Sequence, residues 1–226
     1  MLGSARSVMM KAHAVVPSLP AAYASYNFNE NTGTTAADSS GNGRALTVSG
    51  ASWVAGHTGS ALSNTSNSTT GAISSTLLEP SAAITMMAWI KPLLLTAGQD
   101  NFAFGFFNGG STRAAIFTQR SSFGAGDVLQ FQLSNGGLTF VAGTALTVNT
   151  WVHVAATYDG SSVKIYQDGT VTGTGSLSGA LASNSDFYVA GGASLGFETQ
   201  VVVDDLRIFD TALTQTQIAT AMSTPV

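Results

Sequence analysis

Asp38-Ser39-Ser40-Gly41-Asn42-Gly43 puts a carboxylate, an amide and glycine-bent carbonyls into one short loop. Hard cations take about six to eight oxygen ligands of these kinds, so the loop is a candidate calcium site. Glu30 ends a strand-like run just before it and could contribute from the same edge. A competing reading needs no ion. Asp38 would accept from amides of its own loop as an Asx-turn.

Catalytic pairings are harder to assemble. Glycoside hydrolysis needs two carboxylates about 5–9.5 Å apart, and on a strand residues i, i+2 and i+4 share a face. Glu30, Glu79 and Glu198 each stand alone, with no Glu-x-Asp or Glu-x-x-x-Glu pattern. Asp204 and Asp205 are adjacent and would face opposite sides of a strand. His13, His57 and His153 have no metal-ligand spacing, and no serine sits in a nucleophile elbow. His153 reads as a packed histidine beside Trp151. Phe102, Phe104, Phe106 and Phe107 form the densest aromatic cluster. Exposed, they would make a platform for sugar faces; Phe102, Phe104 and Phe106 share one strand face and read instead as core, with Phe107 the odd one out.

The elements that position these residues are strands. In Asn149–Gly169, Trp151, His153, Ala155 and Thr157 alternate with Val152, Val154, Ala156 and Tyr158. Asp159-Gly160-Ser161-Ser162 then supplies a turn, and Asp168-Gly169 closes a second strand, which reads as a β-hairpin. Further strands are expected over Ala22–Glu30, Leu46–Trp53, Ile84–Lys91, Phe102–Phe107, Ala114–Gln119, Val128–Leu133, Leu138–Val141, Phe187–Ala190 and Val201–Phe209. Residues 63–76 read as a weak edge strand plus loop. Thr214–Met222 has helical spacing with a Thr or Asp cap. Many short strands with one short helix predict an all-β, two-sheet antiparallel sandwich.

The hairpin resembles the central hairpin of LamG-like jelly-roll domains of the concanavalin A-like lectin/glucanase group. Four more segments match in that family's order: Tyr26–Gly43, Ala51–Leu62, Met87–Pro92 and Val203–Ile218. The resemblance implies a jelly roll with Trp53, Trp89 and Trp151 filling core positions. It also implies a structural calcium (Ca2+) held by the Asp38 loop together with the aspartate opening the final strand, here Asp204. Asn42 and Glu30 complete that candidate set. Without an ion, Asp204 would pair with Arg207 or a neighbour.

Composition narrows the partners. Only 9% of residues are charged, the net charge is −4, and no basic patch appears, so the footprint of a nucleic-acid binder is missing. No apolar run reaches the ~18–20 residues of a membrane span. The chain has no cysteine, which fits either redox compartment.

Residues 1–21 read as an N-terminal arm and residues 22–226 as the LamG-like domain. The arm carries Pro17 and Pro20 and reads as a retained assembly segment, with a signal peptide as the alternative. Its apolar contacts would be Val8, Met9, Met10, Val15, Val16 and Leu19. The combined expectation is a non-catalytic module binding a glycan or glycoprotein, extracellular or on a virion surface. The alternative is a phage virion protein, a head-decoration or tail component, whose arm meets neighbouring virion proteins or copies of itself.

Overall fold

Turn chemistry sets the local geometry. Asp159 Oδ1 accepts the Ser161 and Ser162 amides at 2.9 and 2.7 Å, and Gly160 takes φ +94°. The chain therefore reverses where the alternation stops, as the sequence predicts. Asp168 (φ +48°) and Gly169 (φ +74°) form a two-residue hairpin turn whose positive φ values favour this residue pair.

The computed structural model describes residues 18–65, 71–74, 80–95, 99–108, 111–120, 128–181, 186–191, 197 and 200–226. Its strands are β1 Ala24–Tyr26, β2 Thr35–Ala36, β3 Leu46–Val48, β4 Ser52–Ala55, β5 Ser60–Asn64, β6 Ala72–Ser74, β7 Ile84–Pro92 and β8 Asp100–Asn108, then β9 Ser111–Arg120, β10 Val128–Ser134, β11 Leu138–Ala145, β12 Val152–Tyr158, β13 Ser162–Gln167, β14 Thr170–Ser176, β15 Asp186–Val189 and β16 Val201–Phe209; the helix is α1 Gln215–Met222. One sheet runs β14-β13-β12-β7-β16-β5-β4, with β1 also on β16, and the other runs β11-β10-β9-β8-β15-β6-β3-β2. This is the antiparallel jelly-roll sandwich expected, with its short C-terminal helix.

The faces sort by packing. Ile84, Met86, Ala88 and Ile90 of β7 and Val154, Ala156 and Tyr158 of β12 enter the main core, together with Phe104, Phe106 and Phe187 of the second sheet. Phe102, Phe104 and Phe106 are buried, as read from sequence, and so is Phe107, which that alternation leaves out. On the outer face of the first sheet, Met87, Ala155, Tyr166 and Phe209 are covered by Leu213, Ile218 and Ala221 of the helical segment. Thr214 caps that helix in a reciprocal capping box with Gln217.

Four sequence expectations change. Trp89 and Trp151 are half-buried and lie on the outer face of the first sheet, outside both buried clusters; Trp53 does pack against the main core. Within 63–76, expected as a weak edge strand plus loop, residues 63–64 end β5, which lies between β16 and β4 with every residue buried, and 72–74 form β6 between β15 and β3. The Leu46–Trp53 run splits into β3 and β4, which join different sheets. The first strand stops at Tyr26, although Phe28, at φ +51°, remains buried. For the tryptophans the second sheet decides which face of the alternation becomes core, and it packs on Val154 and Ala88.

Candidate functional site

Where the edges of the two sheets meet, β11 and the segment leading to Trp151 face the β13–β14 turn. Close backbone approach there requires glycine. A Cβ on Gly173 would lie 2.1 Å from the Ala142 carbonyl oxygen, and one on Gly143 would lie 2.7 Å from Gln167 Oε1. Gln167 Oε1 accepts both the amide and the hydroxyl of Thr144, each at 2.7 Å, and so joins the two edges.

A cleft of about 460 Å³ opens between these segments. Its walls carry the hydroxyls of Thr144, Thr147, Thr150, Thr170 and Thr172, the side chains of Gln167 and Asp168, and the indole of Trp151. Thr172 Oγ1 is buried and has no hydrogen-bond partner among the described residues. Among the described residues Asp168 is the only carboxylate in the lining, and no lysine, arginine or histidine lines it. The donor set suits reversible binding of a hydroxylated ligand against an aromatic wall. Among its described lining residues there is one carboxylate, where glycoside hydrolysis uses two.

Trp151 also belongs to an aromatic cluster on the sheet face. His57, from the β4–β5 turn, lies flat on Trp89 with centroids 3.7 Å apart and planes 9° apart. It meets Trp151 edge-on at 5.8 Å. His153 is buried, as expected, and packs edge-on against Trp89 at 5.4 Å. Burial, with Arg207 and His57 nearby, pushes its pKa down from 6.5 to about 3. Lys91 Nζ sits 5.1 Å from the Trp151 ring centroid.

The candidate calcium ligands all make hydrogen bonds within the chain. Asp38 Oδ1 accepts the Ser25 and Ser40 amides at 3.1 and 2.9 Å, and Oδ2 accepts the Arg44 amide at 3.0 Å. Burial alone would raise the Asp38 pKa, but the Ser40 hydroxyl and these amides outweigh it and hold the pKa low. Asn42 Nδ2 donates to the Ala22 and Tyr23 carbonyls, and the Arg44 guanidinium donates to the same Tyr23 carbonyl. Glu30 Oε1 accepts the Ala37 amide.

Asp204 belongs to a different loop contact. Its Oδ2 accepts the Thr58 amide at 2.9 Å, and burial pushes its pKa up. Among the described residues, no three His, Asp or Glu side chains gather to hold an ion. Asp38 and Asp204 thus accept N–H donors from different loops, and Glu30 Oε2 is buried with no hydrogen-bond partner among the described residues.

The adjacent aspartates also depart from simple alternation. A bulge in β16 between Asp204 and Arg207 puts Asp205 at φ +46°. Asp204 pairs in register with Trp89, and Arg207 with Met87, on the outer face. Asp205 turns to the same side as Arg207 and binds its guanidinium at 3.0 Å in a buried ion pair. Arg207 also holds the Thr224 carbonyl. The expected Asp204–Arg207 pairing is thus made by Asp205.

Of the arm contacts, Leu19 packs on its own domain against the cluster under α1, and Gln217 Nε2 donates to the Ser18 carbonyl. Val8, Met9, Met10, Val15 and Val16 lie outside the described residues, as do Glu79 and Glu198.

The cleft residues other than Trp151 were not singled out from sequence. Asp168-Gly169 was legible only as a turn, and the threonines only as strand or loop formers. Their single weak signal is the alternation of Thr170 and Thr172 along β14.

Fold and cleft together define a lectin-like jelly-roll module. The chain belongs to the concanavalin A-like lectin/glucanases superfamily, whose sequence model matches residues 64–219. Comparison with curated proteins gives no match. Among solved structures, the chain is similar to domain 4 of AbnA, a GH43 extracellular arabinanase from Geobacillus stearothermophilus, in complex with arabinotriose. Identity is 20% and the TM-score 0.64, covering 88% of this chain and 97% of that one. It is also similar to the binding domain of Paraclostridial Mosquitocidal Protein 1, at 17% identity and TM-score 0.68, covering 88% of this chain and 51% of that one. Trypanosoma rangeli sialidase in complex with sialic acid matches at 14% identity and TM-score 0.63, covering 87% of this chain and 32% of that one. The chain thus spans about half of the toxin domain and a third of the sialidase. At these identities the likeness speaks to fold alone.

Proposed function

We propose that this protein is a non-catalytic carbohydrate- or glycoprotein-binding module, secreted or displayed on a surface, and that the cleft beside Trp151 is its binding site. The observation carrying this reading is a cleft that brings half-buried Trp151 together with five threonines, Gln167 and Asp168. A non-enzymatic role is supported by the single carboxylate in the lining. The superfamily, and a neighbour solved with arabinotriose, point the same way by analogy of fold. Among the described residues no helix is long and apolar enough to cross a membrane. Leu19 packs on its own domain, which lends no weight to a neighbour-binding arm.

The test is titration calorimetry of the full chain against a broad glycan panel, with Trp151→Ala and Thr172→Val beside it. Binding should weaken about tenfold or more in Trp151→Ala. A glycan that binds all three proteins equally would place the site elsewhere.

A further inference from the structure

We infer that the cleft selects a neutral, hydroxyl-rich saccharide whose neighbouring hydroxyls donate to Asp168, and that it rejects sialylated and uronic-acid glycans; this rests on the binding reading above. The selection follows from charge and from which hydrogen-bonding groups are already used. Asp168 stands in the lining with no cation among the lining residues. Its Oδ1 takes the His153 amide at 2.9 Å, leaving Oδ2 and the remaining lone pairs as acceptors. An ionised carboxylate only accepts, so it needs a donor, and a sugar hydroxyl is one. Such charge-assisted bonds are about twice as strong as neutral ones.

The other polar groups complement this. Gln167 spends its Oε1 on Thr144, which leaves its NH2 to donate to a ring or hydroxyl oxygen. Trp151 supplies the apolar wall against which a sugar ring stacks. A carboxylated sugar would bring a second negative charge next to Asp168, and like charges at close range repel. Lys91 is the cation recorded against the Trp151 ring, and it stands outside the lining.

Asp168→Asn isolates the charge. Asparagine tolerates the positive φ of this turn and keeps an oxygen for the His153 amide, so the fold should be retained, as unfolding curves would confirm. The full chain, Asp168→Asn, Lys91→Met and Trp151→Ala are titrated with two sets of probes. One set is neutral arabino-, xylo-, gluco- and galacto-oligosaccharides; the other is sialyllactose and oligogalacturonate.

The expected result is neutral binding by the unmodified protein, about tenfold weaker in Asp168→Asn, with acidic glycans gaining affinity in that variant. A purely structural role for Asp168 would not produce that gain. Preference for the acidic set, or neutral binding unchanged in Asp168→Asn, overturns the inference while leaving the binding reading intact. Loss of acidic binding in Lys91→Met would name the cation responsible. Binding to neither set overturns both, and equal binding by Trp151→Ala moves the site and so fails the binding reading.

Discussion

Asp168 and His153 exchange two hydrogen bonds. The His153 amide donates to Asp168 Oδ1 and the Asp168 amide donates to the His153 carbonyl, each at 2.9 Å. One residue lines the cleft and the other is buried against Trp89. The turn beside the cleft is thereby fastened to a strand of the sheet, so under the proposed binding role a ligand would meet a preformed carboxylate. Preorganisation of this kind lowers the entropy cost of binding.

His153 should make stability depend on pH. Its folded pKa of about 3 lies below the ordinary 6.5, so the unfolded chain takes up a proton that the folded chain refuses. Stability is complete above pH 6.5 and falls as pH drops toward 3, by up to ~1.4 kcal/mol per unit. Asp204 and Asp205, pushed up by burial, act in the opposite sense at low pH but are common to both proteins compared. Urea unfolding of His153→Phe, which keeps a ring against Trp89, should give a flatter profile between pH 6.5 and 4. Parallel profiles would clear His153 of this role.

Trp151→Ala should cost roughly 1–2 kcal/mol, because the indole is half-buried. A core tryptophan position, as expected from sequence, implies ~3–5 kcal/mol. Chemical denaturation separates the two, and a loss above 3 kcal/mol would return the indole to a core role.

The Asp38 loop should hold together without an ion. Three backbone amides converge on this carboxylate, so Asp38→Ala should destabilise by roughly 1–3 kcal/mol with or without calcium. Calcium added to chelator-treated protein should leave the melting temperature unchanged. A rise that disappears in Asp38→Ala would restore the metal site, since a ligand of the folded state stabilises by mass action.

Removing Arg207 should be costlier than any of these. Its guanidinium neutralises buried Asp205 and holds the Thr224 carbonyl. Arg207→Ala leaves an uncompensated buried carboxylate, a change worth about 3–5 kcal/mol. Equilibrium unfolding at neutral pH measures it; a cost below 1 kcal/mol would mean the pair is solvated in solution.

Local features were legible from the chain alone because their causes are local. Asp159 and Gly160 turn through contacts within three residues, Asp168-Gly169 supplies the positive φ values its turn needs, and Thr214 and Gln217 close a cap three residues apart. The alternation through β12 likewise separated Trp151 and His153 from Val152 and Val154. Which of those faces becomes core is not contained in a period of two. It was decided by the second sheet, which packs on Val154 and leaves Trp151 outside. Tertiary structure also decided the bulge that turns Asp205 toward Arg207, and the use of Asp38 by amides of Ser25 and Arg44 instead of Asp204. The cleft is nonlocal for the same reason. Thr144 meets Gln167 across 23 residues of chain, and only the approach of two sheet edges makes threonines of ordinary strand type into the wall of a site.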